Sequence, residues 1–195
     1  MGLTAIFGGT FNPFHIGHYA MLKALQNDST IDEIWIMPDK IPPHKVCDFL
    51  ANDNDRIEMC KIVAKDFSKA SLCLVEFERE GKSYSYDTVI HLKEMYPQKD
   101  FAFVVGGDML ISFETWYHAE ELMKLIPFIA FKRNDIDDSE FLKCVNTFLK
   151  KGMNLTVKED LIPKVSSSEF RKSTLKELLP EKVFNFIKER GIYGV

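Results

Sequence analysis

The chain has 195 residues, 46% hydrophobic and 28% charged, which suits one globular domain over residues 1–195 with a substantial core. A formal net charge of −4 argues against a dedicated nucleic-acid binder, the longest apolar runs are too short to span a bilayer, and no basic start leads into a long apolar stretch. Cys47, Cys60, Cys73 and Cys144 are scattered without a C-x-x-C pair, so the expected setting is reduced and cytoplasmic, with small buried thiols.

The apolar run Leu3–Phe7 predicts a first strand. It ends in Gly8-Gly9-Thr10-Phe11-Asn12-Pro13-Phe14-His15-Ile16-Gly17-His18, and helical spacing follows over Gly17–Gln26. Gly8 and Gly9 let an anion approach the backbone, Thr10 adds a hydroxyl donor, and Pro13 fixes the direction of the loop. The opening helix offers unpaired N–H groups and the positive end of its dipole. His15 and His18, three positions apart, can then donate to the same phosphate, and neighbouring phosphates favour the imidazolium form. The same pair could be surface residues or two ligands of a metal. A metal needs a third ligand, and a helix N-terminus is a poor place for a cation, so phosphate binding is preferred and no metal-ligand set is assigned.

Downstream, Glu33–Met37 predicts a second strand, followed by the proline-rich loop Pro38–Lys45. Helical spacing over Asp55–Phe67 puts Cys60, Val63, Ala64 and Phe67 on one face. Leu72–Phe77 reads as strand three and Ser85–Met95 as a helix capped near Ser85 or Asp87. Phe101–Val105 is a buried strand ending in Gly106-Gly107-Asp108. Phe128–Phe131 and Leu155–Val157 are the remaining strands, and Glu140–Leu149, Ser167–Glu177 and Glu181–Arg190 the remaining helices. Strand–helix alternation of this kind implies an α/β, doubly wound, mostly parallel sheet with helices on both faces. Ligands in such sheets sit beyond the carboxyl ends of the strands, where strand order reverses. The glycine turns after the first strand and after Val105 can flank one crevice.

Four further clusters carry chemical content. Ser166-Ser167-Ser168 with Arg171 opens a helix. One serine suffices for a cap, so three hydroxyls and a guanidinium also suit a phosphate cradle. Pro42-Pro43-His44-Lys45 is a stiff loop carrying a cation towards the crevice. Asp108 can accept from a ribose hydroxyl or cap a helix. Trp116 and Tyr117 can pack in the core or stack on a planar ring.

Taken together, the stretches GGTFNPFHIGH, PPHK, SYSYDT, GGDMLISFETWY and SSSEFRK, in this order and spacing, resemble bacterial nicotinate-nucleotide adenylyltransferase, of the H-x-G-H nucleotidyltransferase superfamily. The likeness runs from Gly8 to Arg171. Asn12 stands where that family often has Asp, Phe14 where Pro is frequent, Val165 for Ile, Ser168 for Thr, and Asn134-Asp135 where Pro-Gly is usual. The resemblance implies a Rossmann-like fold and transfer of the adenylyl group of ATP to nicotinate mononucleotide, giving deamido-NAD and pyrophosphate, with Mg²⁺ held mainly by ATP phosphates. It implies catalytic roles for His15, His18 and Arg171, and ATP binding by Gly8, Gly9, Thr10, Gly106, Asp108, Ser167 and Ser168. The mononucleotide falls to Lys45, Thr88, Trp116, Tyr117 and Arg133: Trp116 stacks on the pyridine ring, and the Thr88 and Tyr117 backbone N–H groups take its carboxylate. The partners expected are these two nucleotides, with no nucleic acid or membrane and with a homo-oligomer left open. A pantetheine-phosphate adenylyltransferase or cytidylyltransferase would share the histidine and serine motifs without needing Trp116 or the Ser83–Thr88 segment. A non-catalytic nucleotide sensor would not need His15, His18 or Arg171.

Overall fold

The computed structural model describes residues 2–41, 51–133 and 136–195. The apolar runs become β1 (Leu3–Gly9), β2 (Ile31–Pro38), β3 (Ala70–Leu72), β4 (Asp100–Gly106), β5 (Phe128–Arg133) and β6 (Leu155–Ile162). They form one sheet in the order β3-β2-β1-β4-β5-β6, and every neighbouring pair is parallel. Strand order reverses between β1 and β4, so a crevice opens beyond Gly9 and Gly106.

Side chains alternate across the sheet with the period of two that a pleated strand imposes. Ala5, Phe7, Ile34, Ile36, Ala102, Val104, Ile129 and Phe131 face one way. There they meet α1 (Ile16–Asn27), α2 (Asp53–Ala64), α7 (Ser167–Ser173) and α8 (Glu181–Arg190) through Leu22, Leu25, Met59, Val63, Phe170, Val183 and Ile187. Ile6, Met37, Phe103, Val105, Phe128 and Ala130 face α3 (Ser85–Met95), α4 (Gly107–Ile111), α5 (Ala119–Leu125) and α6 (Asp138–Lys150). Buried on both faces, the strands carry nearly unbroken apolar runs, as a doubly wound parallel sheet requires. Each fully buried leucine or phenylalanine contributes roughly 1.5–3 kcal/mol.

Two predicted elements are corrected. The expected strand Leu72–Phe77 is a three-residue strand, Ala70–Leu72, followed by a 3-10 turn at Val75–Phe77. Leu74 leaves the extended region (φ −106°, ψ 17°), and the turn carries Glu76 inwards to a hydroxyl partner on α3. The expected helix Ser167–Glu177 stops at Ser173, because Thr174 adopts a left-handed backbone (φ 55°), and a separate turn covers Lys176–Leu178. The short helices α4 and α5, absent from the sequence prediction, carry the chain between β4 and β5.

Candidate active site

A cavity of about 480 Å³ opens at the carboxyl ends of β1 and β4, with Gly8, Gly9 and Gly106 on its wall. His15 is the N-cap of α1. Its Nδ1 accepts the His18 N–H at 3.2 Å, and His18 Nδ1 accepts the His15 N–H at 3.2 Å. This reciprocal cap holds the imidazoles nearly parallel, with centroids 3.5 Å apart. With Nδ1 of each ring accepting a backbone N–H, Nε2 is the nitrogen each ring can turn to the cavity that both line. The spacing of the motif follows from the same geometry. A Cβ at Gly17 would meet His15 Cε1 and Val165 Cγ1 at 3.0 Å, so a larger residue there would push the ring or Val165 aside by a few tenths of an ångström. Phe14 stacks on Phe11 at 4.8 Å, and both rings meet His18 edgewise at 5.1 Å, which fixes the second imidazole. The first turn of α1 has no acidic residue, so its positive end stays uncompensated. At Gly9 the tightest neighbour of an added Cβ is the Phe11 ring, at 3.1 Å, so packing adds a second reason for glycine beside anion access.

The late serine cluster lies across from this helix start. Each serine has its own task. Ser166 caps α7 by accepting the Glu169 N–H at 3.1 Å, Ser167 Oγ donates to the Pro13 carbonyl at 2.8 Å, and Ser168 Oγ accepts from Arg171 Nη2 at 3.1 Å. Arg171 Nη1 donates to the Asn12 carbonyl at 2.7 Å. The two motifs are thus cross-braced through backbone carbonyls, and both line the cavity. Thr10 also lines it, with its hydroxyl 3.3 Å from an Asp39 carboxylate oxygen.

At the other end of the cavity stand Tyr84, Thr88, Trp116 and Tyr117, with Asp108 exposed at the mouth. Trp116 packs edgewise on Phe103 at 6.0 Å and is tilted over Phe113 at 5.2 Å, half-buried at the cavity wall. Tyr117 meets Tyr84 at 4.6 Å and His118 at 4.2 Å. The Thr88 expectation is corrected: its backbone N–H is committed to the Tyr84 carbonyl at 3.1 Å. Tyr84, not Ser85 or Asp87, is the N-cap of α3, and no side chain caps the helix. The N–H groups of Ser85, Tyr86 and Asp87 are therefore the ones without an intrahelical acceptor. Gly106 is the N-cap of α4, and Asp108 lies inside its first turn. Lys45 lies outside the described residues. Arg133 ends β5, its backbone in register with Ile162 of β6.

Three residues not singled out from the sequence support the site. Arg56 is fully buried, and its Nη1 donates to the carbonyls of Thr10 at 3.1 Å and Asp39 at 2.6 Å. Its spacing to Met59, Cys60 and Val63 was a signal, since a charge on an apolar helical stripe must find partners inside. Tyr193 donates its hydroxyl to Asn12 Oδ1 at 2.6 Å, and the same oxygen accepts the Ala51 N–H at 3.0 Å. Glu76 is a buried carboxylate bonded to the Thr88 hydroxyl. Nothing in the local pattern marks Tyr193 or Glu76, because their partners are distant in the chain.

The described cysteines are free thiols, and burial pushes Cys60, Cys73 and Cys144 all upwards, which makes them poor nucleophiles. Among the described residues no group of three or more histidine, cysteine, aspartate or glutamate side chains could hold a metal ion, and no helix is long and apolar enough to cross a membrane. The chemistry available at the phosphate end is therefore donation to an anion by imidazole, hydroxyl and guanidinium groups set at two helix starts.

The family model for cytidylyltransferase-like proteins matches residues 6–173. The chain is 36% identical to the nicotinate-nucleotide adenylyltransferase of Bacillus subtilis (strain 168), over 96% of each chain. It is also 36% identical to a probable nicotinate-nucleotide adenylyltransferase of Bacillus mycoides, over 96% of each. Among solved structures, Plasmodium falciparum nicotinic acid mononucleotide adenylyltransferase in complex with APC superimposes with a TM-score of 0.79 at 26% identity, covering 99% of this chain and 98% of that one. The same enzyme in complex with NaAD gives 0.79 at 25% identity.

Proposed function

The chain belongs to the cytidylyltransferase-like family and, within it, to the nicotinate-nucleotide adenylyltransferases, and we propose that it joins ATP and nicotinate mononucleotide into deamido-NAD with release of pyrophosphate. The observation that carries this reading is the placement of the His15–His18 cap and the Ser167–Arg171 cluster around one cavity, tied together through Asn12 and Pro13.

In the proposed reaction a phosphate oxygen of the mononucleotide attacks the α-phosphorus of ATP. The bond from that phosphorus to the bridging oxygen breaks, and pyrophosphate leaves with the electron pair. A phosphate monoester is already an adequate nucleophile at neutral pH, so the protein positions the reactants and stabilises charge. The two Nε2–H groups donate to phosphate oxygens on which charge builds. Arg171 and Ser168 hold the departing pyrophosphate, while Ser167 and Thr10 maintain the walls. Mg²⁺ belongs to the ATP substrate. As the resemblance implies, it would be held mainly by the phosphate oxygens of ATP and would offset their charge.

For the acceptor, the N–H groups of Ser85, Tyr86 and Asp87 replace Thr88 as donors to the pyridine carboxylate, with the Tyr117 N–H opposite and Trp116 against the ring. Backbone N–H donors suit a carboxylate, which accepts with both oxygens, better than a carboxamide, whose NH₂ gains nothing from them. Product analysis with ATP, Mg²⁺ and either nicotinate or nicotinamide mononucleotide tests the assignment. Deamido-NAD and pyrophosphate in equal amounts are expected. No product from nicotinate mononucleotide, together with turnover of phosphopantetheine or of CTP, would replace it with one of the related transferases.

A further inference from the structure

The acceptor end also carries a buried carboxylate on its wall. Glu76 is only 4% exposed, lines the cavity, and sits in the turn that replaces the predicted third strand. One carboxylate oxygen accepts from Thr88 Oγ1, and that hydroxyl oxygen lies 3.3 Å from Arg79 Nη1. Among the described residues no lysine or arginine forms an ion pair with Glu76; the nearby Arg79 instead lies 3.8 Å from the Asp87 carboxylate. Thr88 follows directly on Ser85, Tyr86 and Asp87 in α3. The Glu76 carboxylate is therefore tied to the first turn of α3 through the Thr88 hydroxyl, which also lies 3.0 Å from the carbonyl of the N-cap Tyr84.

Two features of opposite sign thus share one wall. The uncapped start of α3 offers N–H donors to an anion, with Asp87 in its first turn offsetting part of the positive end. The Glu76 carboxylate repels one, and its oxygens can accept from an NH₂ group. Resting on the function proposed above, the geometry points to Glu76 as a specificity-determining residue, whose charge limits how strongly the enzyme prefers a pyridine carboxylate to a carboxamide. Arg79, on the far side of the same hydroxyl, acts in the opposite sense.

The test compares kcat/KM for nicotinate and nicotinamide mononucleotide in the wild type, Glu76→Gln and Arg79→Gln. Where turnover of the amide is too slow to follow, its Ki against the acid replaces it. Glu76→Gln keeps an oxygen to accept from Thr88 and removes the charge, so the acid-to-amide ratio rises by about tenfold. Arg79→Gln lowers the ratio by about threefold or more. A purely structural role would weaken both acceptors together and leave the ratio still. Ratios within about twofold of wild type in both variants, or shifts in the same direction, overturn the assignment. If Glu76→Gln does not fold, Arg79→Gln decides alone: a fall supports the role of the charge balance and an unmoved ratio ends it. A wild-type enzyme that uses neither acceptor would instead overturn the proposed function, and this specificity role with it.

Discussion

At the phosphate end of the cavity, His15, His18, Ser167 and Arg171 are held by side-chain bonds to backbone groups, one of them spanning 159 positions of sequence, and Ser168 is bonded to the Arg171 side chain. At the acceptor end, Tyr84, Tyr86, Tyr117 and His118 meet through ring contacts between 4.2 and 6.3 Å, and Tyr117 remains 46% exposed. The contrast suits the chemistry proposed for each end. Charge that develops on phosphate oxygens is best met by donors that need not reorganise, so their rotamers are pinned by directional bonds. A planar substrate that must enter and leave is served by apolar surfaces, whose contacts are individually weak and easily remade.

If that division is right, substitutions at the two ends should separate kcat from KM. The largest effect belongs to His18→Ala, expected to lower turnover by about 10²–10³-fold, as loss of one preorganised donor does elsewhere. Because His18 Nδ1 also caps the His15 N–H, about 1 kcal/mol of stability should go with it, read by urea unfolding. A near-normal rate of pyrophosphate release in that variant would dissolve the distinction between the two ends. Next comes Trp116→Ala, expected to raise KM for nicotinate mononucleotide about tenfold while kcat stays within roughly threefold. A collapse of kcat with an unchanged KM would place Trp116 in the wrong half of the site.

Tyr193→Phe sharpens the comparison from outside the cavity. It removes one of the bonds that orient the Asn12 side chain, and the backbone carbonyl of the same residue receives Arg171. A fall in kcat of about three- to fivefold with the acceptor KM unchanged is expected, with roughly 1 kcal/mol lost in stability. An effect on acceptor KM alone would contradict a role at the phosphate end.

The smallest effect serves as a control remote from both ends. Asp28 follows α1, and burial pushes its carboxyl up. Hydrogen bonds from Lys158 and Thr30 outweigh burial and hold it at about 2, below its ordinary value of 3.8. A lowered folded value means the bonded carboxylate stabilises the protein above the unfolded value, and that this contribution disappears as pH falls through about 4 towards 2. Asp28→Asn should cost about 1 kcal/mol near neutral pH, converge with wild type near pH 2, and leave kcat and KM unaltered. Parallel stability curves down to that pH would contradict the assignment.

Much of the phosphate end was legible because its logic is local. A strand that stops at Gly8-Gly9, a helix that starts at His15, and three serines where a cap needs one are all patterns within a few residues. The alternating apolar runs likewise predicted the parallel sheet, since strands covered on both faces have no polar side to interrupt them. What escaped depends on distance. Arg56 finds its acceptors in the loops after β1 and β2, Tyr193 finds its acceptor near the other end of the chain, and Glu76 turned an apparent strand into a 3-10 turn. That the Thr88 N–H is already committed depends on where α3 starts, because a helix whose N-cap is Tyr84 spends that N–H on its own first bond.

A crystal structure with a non-hydrolysable ATP analogue and Mg²⁺ tests the shared cavity most directly. Phosphate oxygens within about 3.2 Å of both imidazole Nε2 atoms and of the Arg171 guanidinium are predicted, with the two Nδ1 atoms still accepting from backbone N–H groups. A triphosphate bound away from either motif, or imidazoles turned to present Nδ1 to it, would contradict the account.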